Sequence, residues 1–282
     1  MFLALAVEEA MGNRWQKWRM RMRGEDLLWQ NASFGGNRYI AVIWRGEAER
    51  IPWGRIAGVT NRPRTPVLAP PGVTPPENCP CRIYEPQDFY TRLTVQAARQ
   101  CLLQVPEKAR RAVVGIIDPQ GIAPWVCPEL AECCKALTVY SLRPERYRKS
   151  EGMLLGEFGM PLLYAEKPEA LRECLLCIAP YPTGVIAVSA PVITTDRSGI
   201  QGSPTINRLS LRLPEAVRAA IPPGVCPELF LGAVVETGQR RVDIAWEVEA
   251  CRIDGRLAPL SDIGKSVLRE KLDITKLVDY NK

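Results

Sequence analysis

Histidine is absent from all 282 residues. That excludes Ser-His-Asp and Cys-His nucleophile activation, HExxH metal sites and imidazole ligation. It also removes the usual side chain that changes protonation near neutral pH. Catalysis would have to come from carboxylates, Lys, Tyr, Cys or hydroxyls, or from a bound cofactor. Long hydrophobic runs are missing too, and no stretch approaches the roughly 18–20 apolar residues of a membrane-crossing helix. The opening "MFLALAVEEAM" lacks a positive start, and its apolar run stops at Glu8 and Glu9, which does not fit a secretory signal. The expectation is a cytoplasmic protein with no membrane partner.

Metal-type cysteine spacing is scarce. The chain has 10 cysteines, and Cys174–Cys177 is its one CxxC. It lies in "ALRECLLCIAP", which reads as a packed helix carrying two small hydrophobes. Cys79-Pro-Cys81 and Cys133-Cys134 are the other local pairs. No metal site is expected, and without a secretion signal the thiols are expected to be reduced.

Positive charge is unevenly spread. Residues 1–65 hold 11 Lys/Arg against 6 Asp/Glu, whereas 66–282 are nearly balanced at 26 against 25. The densest stretch is "RWQKWRMRMRG", residues 14–24. Period-two alternation puts Trp18, Met20 and Met22 on one face and Arg19, Arg21 and Arg23 on the other. That predicts a strand with its arginines in solvent. As a nucleic-acid ridge, Arg19, Arg21 and Arg23 would lack exposed aromatics beside them, so nucleic acid is not the expected partner.

The chain otherwise reads as α/β, a Rossmann-like parallel sheet with flanking helices plus an N-terminal antiparallel β subdomain. Residues 1–62 are the β-rich subdomain, with "WRMRM", "LLWQNAS", "RYIAVIW" and "RIPWGRI" as a meander. Eight prolines make 63–86 a stiff connector. Residues 87–282 form the α/β domain with a mixed C-terminal extension. A helix is predicted over 87–104, and "AVVGIID", "ALTVYS", "MPLLYAE" and "GVIAVSA" are predicted strands alternating with helices. One helix runs from Pro144 to Gly159 and another follows Lys167. Strand "NRLSLRL", helices "PEAVRAA" and "PELFLGAVVE", and an alternating strand "RVDIAWEVEACRID" ending at an Asp254-Gly255 turn complete the pattern, and Ser261 would cap a last helix.

The segment from 110 to 190 resembles a Rossmann-like doubly wound domain in architecture. Such sheets bind ligands beyond the carboxyl ends of their strands. The glycine-rich phosphate turn is missing, however. After "AVVGIID" comes "DPQGIAPW", with one glycine and with Pro119 and Pro124 lacking N–H donors. A standard NAD(P) site is not expected, and the cofactor is left open. A small anionic metabolite or a protein partner at the strand ends is expected instead. Candidate ligand-binding residues are Asp118 and Gln120, with Thr195, Asp196, Arg197, Ser198 and Gly199 from a long polar loop at 191–206. Arg143, Arg146, Arg148 and Lys149 follow the second strand, where basic residues can meet a phosphate. A solvated helix face is their ordinary role. The Glu247/Glu249 pair reads as the wet face of a strand. A transferase-type enzyme working without histidine, and a nucleic-acid adaptor using 14–23, are the alternatives.

Overall fold

The computed structural model describes residues 1–8, 14–60, 65–70, 72–73, 75–105, 112–195, 199–202, 204–237, 247–263 and 268. The chain divides into two compact units, one of residues 1–89 and 213–245, the other of 90–212 and 246–282.

In the first unit, β1 (Leu3–Glu8), β2 (Leu27–Phe34), β3 (Asn37–Arg45), β4 (Pro66–Leu68) and β5 (Arg82–Ile83) form one sheet in the order β2-β3-β1-β4-β5. "RYIAVIW" is a central strand, as its two apolar faces imply, with Tyr39, Ile40, Ala41, Val42 and Trp44 all buried. Only the β2–β3 hairpin is antiparallel, and β1 runs parallel to both β3 and β4. A meander is therefore replaced by a mixed sheet. Two strands, β4 and β5, fall within the stretch read as a connector, and Pro66 is tolerated because it opens its strand. Helices α1 (Arg14–Met22), α2 (Trp53–Gly58), α6 (Glu215–Ala219) and α7 (Pro227–Thr237) complete the unit. Phe230 of α7 meets Phe2, Phe34 and Tyr39 edge-on, closing a small aromatic core.

Two strands expected here are helices. "RIPWGRI" holds α2, whose Arg55 reaches the buried carboxylate of Asp26 with contacts of 3.0–3.2 Å. Residues 14–22 form α1, not an arginine-faced strand. The composition allows it, since Arg, Lys, Gln and Met are good helix formers and no residue is β-branched. Gly24, at φ +70°, ends the helix, and the Glu25 N–H reaches back to the Met20 carbonyl at 3.0 Å. This is a glycine-terminated helix cap rather than a hairpin turn.

The second unit holds α3 (Gln87–Gln104) from Tyr90 onward, then β6 (Val113–Ile117), α4 (Val126–Leu130), β7 (Ala136–Tyr140), α5 (Arg148–Phe158), β8 (Leu162–Ala165), β9 (Leu176–Ala179), β10 (Val185–Ala187), β11 (Val192–Thr194), β12 (Gly199–Gln201), β13 (Thr205–Arg212), β14 (Glu247–Ile253), β15 (Arg256–Pro259) and α8 (Leu260–Asp262). Its main sheet has the order β15-β14-β13-β11-β9-β6-β7-β8. The six strands from β6 to β13 in this sheet are parallel, while β14 and β15 add an antiparallel hairpin. Numbered along the chain, the parallel strands lie 3-2-1-4-5-6, the Rossmann order, with its reversal between β6 and β9. The chain is Rossmann-like.

The fourth parallel strand is β9, "LCIA", which takes the second half of the predicted cysteine helix, leaving only a 3-10 turn at Pro168–Glu173. "GVIAVSA" contributes β10, which pairs with β12 outside the main sheet. Strands β11 and β12 occupy the stretch read as one polar loop. Before α8 the N-cap is Pro259, not Ser261. Val242, Asp243, Ile244 and Trp246, read as part of the alternating strand, lie outside the described residues.

At the reversal, Gly115 of β6 sits opposite Cys177 of β9. A Cβ on Gly115 would lie 2.5 Å from the Cys177 sulfur and 3.3 Å from that of Cys174. A side chain at 115 would therefore force the Cys177 sulfur to move. We expect Gly115→Ala to cost roughly 1–3 kcal/mol by overpacking. In a thermal-melt double-mutant cycle, adding Cys177→Ala should recover part of that loss; strict additivity would show that the sulfur is not the obstacle.

Candidate functional site

The carboxyl edge of the parallel sheet carries Asp118 after β6, Ser141 and Arg143 after β7, Pro180 and Tyr181 after β9, and Thr194 and Thr195 at the end of β11. Asp118 is 1% exposed. Its Oδ2 accepts the Ala123 N–H at 2.8 Å and the Tyr147 hydroxyl at 2.6 Å. The Gly121 N–H donates to the Asp118 carbonyl at 3.1 Å. The aspartate therefore folds the turn "DPQGIAPW" over itself. Donors that a phosphate would use at Gly121 and Ala123 are satisfied by Asp118, and prolines at 119 and 124 have none to give.

The turn is also tied to the segment after β7. Tyr147 is fully buried, the Ser150 hydroxyl donates to the Pro124 carbonyl at 3.0 Å, and the Leu142 N–H donates to the Pro119 carbonyl at 3.2 Å. Gly121, at φ +66°, lets Arg143 and Arg146 approach: a Cβ there would lie 3.0 Å from Arg143 Cβ and from Arg146 Cδ. Arg146 reaches the Gly121 carbonyl at 3.5 Å. Both guanidinium-bearing residues are exposed. Among the described residues, neither is in an ion pair. Across the strand reversal, the Trp125 indole N–H donates to the Tyr181 hydroxyl at 3.3 Å.

No family model matches the chain, and no curated protein matches it. Solved structures that it resembles include a dipicolinate synthase subunit from Bacillus halodurans, at 12% identity over 85% of this chain and 98% of that one, with a TM-score of 0.39. L-tryptophan dehydrogenase from Nostoc punctiforme is similar at 10% identity, over 98% and 89% of the two chains, with a TM-score of 0.33. Delta(1)-pyrroline-2-carboxylate reductase from Thermococcus litoralis, solved with NADH and L-proline, is similar at 12% identity over 69% and 68%, with a TM-score of 0.30. Similarity at this level carries no argument about activity. The Rossmann-like assignment rests on the strand order.

Of the residues expected to bind a ligand, Asp118 is at the reversal but buried in hydrogen bonds, while Gln120 beside it is exposed. Thr195 directly follows β11 on the same edge, with β9 between β11 and β6. Its Oγ1 is buried and has no hydrogen-bond partner among the described residues. Gly199 lies in β12 opposite Val185, where a Cβ would come within 2.4 Å of the Gly184 carbonyl oxygen. Its lack of a side chain thus serves strand pairing. Asp196, Arg197 and Ser198 lie outside the described residues. Tyr147, Trp125 and Tyr181 were not legible as site residues, because each gains its role from a partner distant in sequence.

The edge offers little activated chemistry. Burial pushes the thiol of Cys127, in α4, up to about 12. Such a thiol is a poor nucleophile near neutral pH. Among the described residues no group of three His, Cys, Asp or Glu is gathered for a metal ion.

Burial, and then the adjacent Asp118 carboxylate, push the Tyr147 hydroxyl far above its ordinary value of 10.0. The neutral phenol therefore favours the folded state below pH about 10, and that stabilisation is lost as pH rises beyond the unfolded value. We expect Tyr147→Phe to cost roughly 1–3 kcal/mol at neutral pH by stripping a bond from a buried carboxylate. The gap between wild type and variant should narrow above pH about 10. A constant gap in denaturant melts across that range would contradict the assignment.

Proposed function

We propose that the second unit is a ligand-binding module for a small anionic molecule, most simply a phosphate-bearing metabolite, held at the carboxyl ends of β6 and β7. Two exposed arginines beside Gly121 support this reading most strongly, the Arg143 Cβ and the Arg146 Cδ closing on the glycine and an Arg146 guanidinium N–H reaching its carbonyl. Arg143 and Arg146 supply paired, charge-assisted donors for an oxyanion. Gln120 adds an exposed amide at the lip of the turn. Asp118 is a positioning residue, since it fixes the turn from beneath through Ala123 and Tyr147. Thr195, whose buried hydroxyl lacks a partner among the described residues, and the neighbouring residues Asp196, Arg197, Ser198 and Gly199 belong to the same proposal, for the far end of a ligand lying along the strand ends.

In this arrangement side-chain charge does the work that backbone N–H groups do in a glycine-rich turn. The ligand is then recognised by one anionic group rather than by a dinucleotide's pyrophosphate on a helix start.

The test is a thermal-shift series with inorganic phosphate, pyrophosphate, AMP and NADP, followed by titration of whichever raises the melting temperature most. Arg143→Ala and Arg146→Ala should each weaken binding by roughly 10–100-fold, the worth of one charge-assisted contact. Their effect on the unliganded melting temperature should be small, because both are exposed. A ligand bound equally well by the Arg143→Ala/Arg146→Ala double variant would refute the proposed position.

A further inference from the structure

The first unit carries a surface unrelated to this site. Among the described residues, Trp15, Trp18 and Trp29 are 62%, 56% and 55% exposed, and Met22 is 70% exposed. On α1 alone, two exposed tryptophans and an exposed methionine are costly in water. On α1, Trp15, Trp18 and Met22 follow i, i+3, i+7 spacing and share one stripe. The helix contains Arg14, Lys17, Arg19 and Arg21 and no acidic residue, and Arg23 follows it directly. Arg19 borders the stripe, with its guanidinium carbon 5.7 Å from the centre of the Trp15 ring.

We propose that α1 is an interfacial anchor, its Trp15–Trp18–Met22 stripe bedding into the headgroup region of an anionic lipid bilayer. Tryptophan and methionine on one side with cations at the margins is the chemistry of a helix lying in the membrane plane. No described helix is long and apolar enough to cross a membrane, so the contact is peripheral. Charge complementarity selects the occupant. A second copy of the same stripe would bring like charges together. Single-stranded nucleic acid needs aromatic faces beside a groove that tracks its backbone. Here the surface is a convex helix, Arg19 covers the Trp15 ring, and Met22 has no stacking face. A flat acidic surface accepts a convex ridge.

The experiment is co-sedimentation of the full chain with phosphatidylcholine vesicles, with and without phosphatidylserine at about three parts in ten. Tryptophan emission is followed in parallel. The expected result is binding at least about 10-fold stronger to the anionic vesicles, weakened by salt, with a blue shift in emission. Trp15→Ala/Trp18→Ala and, separately, Arg19→Glu should each reduce it about 10-fold while leaving the thermal melt unchanged, since all three side chains are exposed. Failure to bind anionic vesicles overturns the proposal, as does equal binding by both variants. Salt-sensitive binding to a single-stranded oligonucleotide, lost in the same variants and without vesicle binding, would assign the surface to nucleic acid instead.

Discussion

Among the described residues of the second unit, the Asp118 carboxylate is the one buried charged group. It stands at the end of β6, where the strand order reverses and where Rossmann-like sheets open toward ligands. A carboxylate there without partners would carry a large desolvation cost. The fold meets that cost with a backbone N–H from its own turn and a phenol from the segment after β7. Satisfying that charge ties down the Ala123 N–H and anchors Tyr147, while the Asp118 carbonyl takes the Gly121 N–H. With Tyr147 held, Arg143 and Arg146 come up against Gly121. The proposed anion site thus follows from how one buried carboxylate is hydrogen-bonded.

The same edge shows how a common architecture departs from its usual chemistry. The strand order is intact, and Gly115 leaves room for the Cys177 sulfur where β6 and β9 pair at the reversal. What differs is local: an aspartate and two prolines stand where glycines would expose backbone donors. Fold and function separate at this turn. In the proposed site, the arginines of the following segment take the place of those donors.

Much of the architecture was legible because strong local patterns agreed with the tertiary context. "AVVGIID", "ALTVYS" and "MPLLYAE" are apolar runs between helical segments, and they became β6, β7 and β8. Elsewhere two patterns competed. In "RWQKWRMRMRG" a six-residue alternation overlapped an i, i+3, i+7 stripe, and Gly24 suited either a turn or a helix end. The helix won, turning the aromatics outward. "LCIA" is buried on every residue, and a short continuous apolar run cannot be told from a buried helix by periodicity. Of the site, the strand end at Asp118 was readable. Its partner Tyr147 was not, since the two lie 29 residues apart and meet only because β6 and β7 are neighbours.

The claim that Asp118 closes the turn on itself is tested most directly by amide hydrogen exchange at Ala123. In the wild type this amide should be protected by roughly 100-fold or more, although it lies in a loop, because its donor is bonded to a buried carboxylate. In Asp118→Ala it should exchange like an open loop while the β6 amides stay protected. Fast exchange of Ala123 in the wild type, or protection unchanged by the substitution, would contradict the account.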